Sequence, residues 1–497
     1  MTQILTVDIG TTSTKVVLYD QTGRVVASAN HGYSLCQTTP GMAEEDPDAI
    51  YQAVVTGIQA VSRQTHAPIA GISFSAAMHS LILLDAQYQP ISRMYTWADN
   101  RAKAAAAELR ALPTAHALYA RTGTPLHPMT PLAKLRWLAH DQPDLHAAAR
   151  WFVDVKAYVL YRLSGHLTTD YSVANASGLW NLHTLDWDPE ALQLAHVTRE
   201  QLPHLVDTTA QLTGMTTATA HQLGLTAPVP LIAGASDGCL SNLGLNAIRP
   251  GQAALTIGTS GAVRVVHDQP ELDPHGRLFC YYLAPHAWVI GGPANNGGNV
   301  FQWVHDTLFK DVQPAVSYAD LNAAIAAVPA GSHGLLMHPY LNGERAPLWD
   351  ANARGAFFGL TAQHTRVDMA RAALEGITFN LAHVAQMVQA LTGPFDNLQA
   401  AGGFAKTPAW RQIVADIFNA SVTIPQNVES SCFGAAVLGL VSLGVLPDLN
   451  AVADLMAPVT PRQPQTANVA TYQRLYPLYE QLAHDYQPLF KTLATFN

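Results

Sequence analysis

Two stretches of this chain, half its length apart, are built the same way. Residues 9–18 read IGTTSTKVVL and residues 257–266 read IGTSGAVRVV. Each follows an apolar, β-rich run and leads into a second one, so each predicts a strand, a tight polar turn and a strand. A chance IGT tripeptide is the alternative, but chance does not also supply matching strands on both sides. The repeat therefore predicts two domains of one architecture facing each other across a cleft, each offering a glycine-threonine hairpin to one ligand. A chain of 497 residues is too long for a single hydrophobic core, which points the same way. The turn Ala247-Ile248-Arg249-Pro250-Gly251 marks the boundary, giving domains 1–247 and 248–497, with the last helix expected to pack back on the first domain.

The first hairpin carries chemistry as well as shape. Gly10 lets backbone approach a ligand, and Thr11, Thr12, Ser13 and Thr14 offer hydroxyls and N–H groups that suit phosphate oxygens, with Lys15 adding positive charge. Asp8, entering the turn, is placed to hold a hydrated magnesium ion. An ordinary Gly-Thr turn with a turn-forming Asp is the bland alternative for this stretch alone.

Composition excludes several classes. With 48% hydrophobic and 13% charged residues and no apolar run of spanning length, no membrane segment is expected. A net charge of −9 with scattered basic residues argues against a nucleic-acid partner. Met1 runs directly into a strand with no secretory pattern, which suggests a cytoplasmic protein. Cys36, Cys239, Cys280 and Cys432 form no CxxC pair and are expected to be reduced, and none of the 21 histidines forms HExxH, so no transition-metal site is expected.

Along the chain, Val25–Tyr33 predicts a third antiparallel strand, and Asp46-Pro47 opens a helix through about Ser62, with Ile50, Val54, Val55, Ile58 and Val61 at helical spacing. Ile69–Ser75 and Leu81–Asp85 predict a strand-turn-strand unit with an exposed AAMHS tip; Ser92–Trp97 predicts a strand ending in WADNR, and Ala102–Leu112 a helix. Residues 122–206 are expected to be mostly helical, covering a sheet. Pro228–Ala235 predicts a buried strand breaking at Ser236-Asp237-Gly238. In the second half the strands are 287–292, 355–360 and 398–401, and the helices begin at Asn299, Val367, Thr407 and Ser430, with a final one in the last thirty residues.

At this point the chain resembles the FGGY carbohydrate kinases of the actin-like ATPase superfamily, and within them the gluconate kinases. The resemblance rests on DIGTTSTK (8–15), SAAMHS (75–80), WADNR (97–101), MTPLAKLRWL (129–138), GASDG (234–238), IGTSG (257–261), GAFFGLTAQHTRVDMARAALE (355–375) and AGGF (401–404), and covers nearly the whole chain. A departure is His140, where the family usually has another polar residue. The resemblance implies an α/β fold of two actin-like (ribonuclease H-like) ATPase domains with a duplicated core. The implied activity is transfer of a phosphoryl group from ATP, with Mg2+, to the 6-hydroxyl of D-gluconate. Xylulose or another polyol is the alternative acceptor, and an actin-like ATP-binding protein without kinase activity is a distant one. A sugar acid and ATP are the implied partners, and a homodimer is left open.

The resemblance also assigns roles. Asp237, at the end of a buried strand, is the implied base, and it stands with Asp8 on the metal side; capping of the following helix is the alternative. Gly10, Thr11, Thr12 and Lys15 would meet the γ- and β-phosphates, Gly258 and Thr259 would approach from the other domain, and Gly402 and Gly403 would border the nucleotide. Met78, His79, Trp97, Asp99 and Arg101 would line the sugar pocket. Asp99 and Arg101, two apart, would face the same way toward hydroxyls or a carboxylate, with a local salt bridge as the alternative. His79 as a packed imidazole is the corresponding alternative there. Arg101, Arg345 and the Asn295–Gly298 turn are the unranked candidates for a substrate carboxylate.

Overall fold

The computed structural model describes residues 2–425 and 429–496. They form two compact units. The first takes in residues 2–246, 267–289 and 429–456, and the second 247–266, 290–425 and 457–496. Residues 267–289 and 429–456, which lie past the AIRPG turn in sequence, thus pack with the first unit.

The first unit is built on a six-stranded sheet. Its strands are β1 (Gln3–Ile9), β2 (Ser13–Asp20), β3 (Val25–Gly32), β4 (Ile69–Ala76), β5 (Gln211–Leu212) and β6 (Leu231–Ser236). They lie in the order β5-β6-β4-β1-β2-β3. The opening hairpin pairs Ile9 with Thr14, while β4 runs parallel to β1 with Ser75 opposite Asp8. Strand β6 runs parallel to β4, with Ala235 opposite Ser75 and Ser236 opposite Ala76. Three parallel strands therefore end along one edge.

Helix α1 (Pro47–Ser62) covers this sheet. Asp46 accepts N–H bonds from Asp48 and Ala49 ahead of Pro47, as a helix start requires. Its Ile50, Val54, Ile58 and Val61 join Leu5, Val7, Val16, Leu18, Ile72 and Phe74 in one buried cluster. Each such side chain contributes about 1.5–3 kcal/mol by leaving water, far more than the helix propensity of the β-branched residues takes away. Further along come α2 (Pro131–Asp141), α3 (Val155–Ser164), α4 (Tyr171–Ala176), α5 (Asp237–Gly244) and α6 (Ser430–Ser442). Helix α6 packs on α5, where the Ser241 and Ser430 hydroxyls meet at 2.9 Å.

Two local expectations change. Ile82–Leu84 pairs with Trp151–Val153 instead of returning beside β4, because the chain leaves the sheet through His79 in a left-handed conformation (φ 66°). Residues 122–206 hold short strands among the helices: Trp151–Val153, Thr168–Asp170, Trp180–Asn181, Asp186–Trp187 and His204–Val206. The buried strand Phe279–Ala284 carries no alternating pattern and is not marked by the sequence.

The second unit repeats the central run. β7 (Gln252–Ile257) and β8 (Gly261–His267) form an antiparallel hairpin, β9 (Asn397–Ala401) lies parallel to β7, and β10 (Ser421–Thr423) lies parallel to β9. The run β8-β7-β9-β10 has the connectivity sense of β2-β1-β4-β6, so the core is duplicated. The C-terminal helix Thr466–Tyr486 lies in this unit rather than returning to the first: the Tyr472 hydroxyl donates to buried Glu375 at 2.6 Å, and Tyr479 packs on Phe379. No helix among the described residues is long and apolar enough to cross a membrane, and all four cysteines are free.

The register shift between Ile232 and Ala235 depends on Gly234, which sits at φ 71° and whose added Cβ would fall 1.6 Å from the Phe74 carbonyl oxygen. Gly234→Ala is expected to cost about 3 kcal/mol or more, from strain and the clash together, read as a lowered urea midpoint.

Candidate active site

The edge where β1, β4 and β6 end gathers the first set of functional side chains. Asp8, next to last in β1, accepts the Ser75 hydroxyl at 2.6 Å. Burial pushes its carboxyl above the usual range, Ser75 opposes this, Glu429 adds to it, and Lys15 and Lys156 oppose it. At the hairpin tip the Gly10 N–H donates to the Ser13 carbonyl at 3.0 Å, and the Tyr33 hydroxyl donates to the Gly10 carbonyl. Thr11 accepts the Trp97 indole N–H at 2.9 Å, and Thr12 is exposed. Lys15 reaches Glu429 at 2.5 Å, so its charge is shared with a carboxylate on the segment leading into α6.

Asp237 is the first residue of α5, directly after β6, and its carboxylate accepts the Gly238 N–H at 2.7 Å. The strand end behind it is pinned from two helices. The Lys156 ammonium of α3 donates to the Ala235 carbonyl at 3.1 Å and pairs with Asp170 at 2.6 Å, both side chains fully buried. The Ser236 N–H donates to the Ser172 hydroxyl of α4 at 3.1 Å. Across β4 the residue level with Asp8 is Ala235, so Asp237 stands two strand spacings across the sheet and two residues further along it.

Gly10, Thr11, Met78, Thr96 and Trp97 line one small cavity, so the structure joins the hairpin tip to two of the residues assigned to the sugar. His79 is buried, with ring Nδ1 at 2.7 Å from the Ala176 carbonyl; the packed imidazole is the geometry found. Asp99 and Arg101 depart from the expected exposed pair. Asp99 is fully buried, accepts the Ala43 N–H at 3.0 Å and is held by the Arg101 guanidinium at 2.6 Å. Arg101 also pairs with Glu44, and its guanidinium lies 5.2 Å and 4.9 Å from the ring centroids of Tyr95 and Trp137. The two side chains thus shape the WADNR loop through each other, because a buried carboxylate needs its own cation.

In the second unit, Gly258 and Thr259 form the exposed tip between β7 and β8. Gly402, at φ 110°, sits so close that an added Cβ would lie 2.2 Å from the Ile257 carbonyl oxygen and 3.1 Å from the Gly258 nitrogen. The two glycine loops therefore meet, with Gly402 and Gly403 exposed beside them. The Gly258 carbonyl accepts the Gly298 N–H at 2.7 Å, which docks the tip on the Asn295–Gly298 turn.

That turn is braced by Glu344, a residue the sequence reading missed. Its buried carboxyl accepts the N–H of Asn295 at 2.5 Å, the N–H of Arg345 at 2.8 Å, and the side-chain amides of Asn296 and Asn380 at 2.9 Å each. Arg345 turns onto the same loop, with Nε at 2.7 Å from the Asn295 side-chain oxygen. The signal available was a glutamate in a mostly apolar stretch, LLMHPYLNGERAPLW, whose one cation is the adjacent Arg345. Burial wins over the four N–H bonds and pushes the Glu344 carboxyl up to about 7.

No group of three or more His, Cys, Asp or Glu among the described residues is arranged to hold a metal ion. Magnesium makes no such demand, since one or two carboxylates, water and phosphate oxygens complete its shell, and the half-buried Asp8 carboxyl beside the hairpin tip suits that kind of binding.

A duplicated α/β core with a glycine-threonine hairpin in each half and a strand-end aspartate in the first defines a phosphoryl-transfer class of protein. Residues 3–244 match the N-terminal domain, and residues 253–443 the C-terminal domain, of the FGGY family of carbohydrate kinases, and the chain belongs to that family. It is 41% identical over 501 aligned residues to a gluconokinase of Bacillus subtilis (strain 168), covering 99% of this chain and 98% of that one. The crystal structure of a gluconate kinase from Lactobacillus acidophilus superposes with a TM-score of 0.95 at 39% identity, with full coverage of both chains. A structure described as ligand-bound xylulose kinase from Lactobacillus acidophilus gives the same TM-score of 0.95 and identity of 39%, over 99% of this chain and 100% of that one.

Glu344 ties this geometry to pH. Its carboxyl titrates near 7 when folded and near 4.5 when unfolded, so between those values the folded chain holds a proton the unfolded chain has lost. Its stabilising contribution is complete below pH 4.5 and is lost as pH rises through about 7. The wild type should lose on the order of 3 kcal/mol more than Glu344→Gln across that interval, read from urea midpoints at each pH.

Proposed function

We propose that the chain transfers the γ-phosphoryl group of ATP, with magnesium, to the 6-hydroxyl of D-gluconate, giving 6-phosphogluconate and ADP. The observation that carries this reading is Asp237, presented at the end of a buried strand in the first turn of a helix, with its strand end held by Lys156 and Ser172. A base that must take a proton as a bond forms to phosphorus has to be held in place beforehand, and this one is. Full-length similarity to a gluconokinase supports gluconate as acceptor.

The 6-hydroxyl oxygen forms a bond to the γ-phosphorus as the bond from that phosphorus to the bridging oxygen breaks. The hydroxyl proton passes to the Asp237 carboxylate, and the electron pair of the broken bond leaves with ADP. Thr11, Thr12 and the backbone of the Gly10 turn take γ- and β-phosphate oxygens from the first unit, and Lys15, shared with Glu429, supplies a cation behind them. Within the second unit, the exposed Gly258 and Thr259 tip offers the same kind of turn to phosphate, and Gly402 and Gly403 beside it give the nucleotide a surface without side chains. Asp8 and Asp237 would hold a magnesium ion, which would supply neutralisation of charge on the transferred group. Met78 and Trp97 border the sugar, with the buried His79 directly behind Met78, and Asp99 and Arg101 set the loop that carries Trp97.

A second reading keeps every step and changes the acceptor to D-xylulose or another polyol, and it is favoured by the equal likeness to the structure described as a xylulose kinase. ADP release measured across a panel of sugar acids, ketoses and polyols separates the two: turnover with gluconate well above the other acceptors is expected, and background turnover with gluconate rejects it as substrate. Asp237→Asn is expected to lower kcat by about a thousandfold while ATP affinity stays within about twofold. Near-wild-type turnover in that variant would remove Asp237 from the proton transfer.

A further inference from the structure

Lys134 does nothing in the scheme above, yet it is among the most deeply buried cations of the chain. It lies on α2, whose start is set by Thr130 accepting the Ala133 N–H at 3.3 Å and by Pro131 in the first turn. Its side chain is fully buried, and its ammonium donates to the carbonyls of His79 at 2.8 Å, Thr96 at 2.7 Å and Met129 at 2.7 Å. An ammonium has three N–H donors, so all of them are spent on backbone.

This is a costly arrangement. Taking a charged amine out of water costs several kcal/mol, and here its hydrogen-bond partners are carbonyls rather than carboxylates. Burial accordingly lowers its pKa to about 7, with Asp99 opposing the shift and Arg101 adding to it. A leucine or methionine would fill the space without that penalty, but it would leave three carbonyls without donors.

The carbonyls belong to three separate segments. One is the turn after β4, where His79 is left-handed (φ 66°) and Met78 faces the small cavity. One directly precedes Trp97, whose indole bonds Thr11 at the hairpin tip. The third is the loop leading into α2. In two of these segments, residues lining the cavity, Met78 and Thr96–Trp97, are therefore next to or the same as those whose carbonyls Lys134 holds. Three residues on, Trp137 of the same helix lies under the Arg101 guanidinium, so α2 grips the WADNR loop at a second point.

We propose that Lys134 is a positioning residue for the sugar: by gathering the carbonyls of His79, Thr96 and Met129 it fixes the Met78–His79 turn and the Trp97 loop at one separation, and so sets the width of the acceptor site. The inference rests on the reading of that cavity as the sugar side of a kinase. A flexible ammonium suits the task, since its donors diverge as a tripod, whereas a guanidinium spreads its donors in a plane.

The test is steady-state kinetics of the full chain carrying Lys134→Met, Lys134→Gln and Lys134→Arg, each checked for folding by circular dichroism and thermal unfolding. Lys134→Met is expected to raise the KM for gluconate by about tenfold or more, which corresponds to about 1.4 kcal/mol of lost binding, while the KM for ATP moves by less than about twofold. Lys134→Arg, which keeps charge and donors, is expected to recover part of that loss. An unchanged gluconate KM, or equal rises in both KM values, overturns the proposal. So does failure of all three variants to fold, which would assign Lys134 to the fold alone. Wild-type turnover is measured first: its absence with gluconate rejects the substrate reading, and the series is then read with the acceptor that the wild type does phosphorylate.

Discussion

Three parallel strands that stop along one edge are the constraint from which the first unit follows. Strand side chains alternate between faces, so a register slip of one residue would turn Asp8 into the core and Val7 out to the edge. The register is held by the Asp8–Ser75 hydrogen bond between β1 and β4, by the bulge at Gly234, and by the buried Lys156–Asp170 pair that reaches the carbonyl of Ala235. A phosphate-type hairpin and an aspartate at a helix start come to the same edge because their strands are neighbours but one. The second unit reuses the scheme, with Gly402 ending its parallel strand where the first unit has Ser75 and Ala76.

Both units brace a turn with a buried ionisable group whose partners are mostly backbone, and they use opposite signs. In the first, a lysine gathers carbonyl oxygens; in the second, Glu344 gathers N–H groups. Each leaves a turn rigid at the level of its peptide planes, which a packed apolar side chain does not do, since dispersion contacts have no preferred direction. Asp99 and Arg101 follow a third version, an ion pair folded under its own loop.

The hairpins, the covering helix, the strand before Asp237 and the glycine loops were legible because each has a local cause: alternating or continuous apolar runs, an Asp-Pro helix start, or glycine at a turn. The orientation of Asp99 and Arg101 was not legible, since a spacing of two places side chains on one face without saying whether that face meets ligand or protein. His79 was harder still, because the left-handed turn that buries its ring and sends Ile82–Leu84 to another partner is visible only in the backbone. Lys134 lies in a motif that bears only on the resemblance and Glu344 in none, and nothing local marks either as buried. Their burial depends on groups gathered from distant segments, and no short window of sequence contains those.

The first unit is discontinuous along the chain, and that shapes how it comes into being. Helix α6, drawn from residues 430–442, packs on α5 and against β1 and β4, so the sheet's second face stays uncovered until nearly nine-tenths of the polypeptide has left the ribosome. A nascent chain ending near residue 246 has the hairpin, the strand-end aspartate and Lys134, but it shows water the face of α5 on which Ser430 and Gly434 later pack. Closing this unit therefore needs contacts between segments far apart in sequence, the kind of long-range pairing that slows folding.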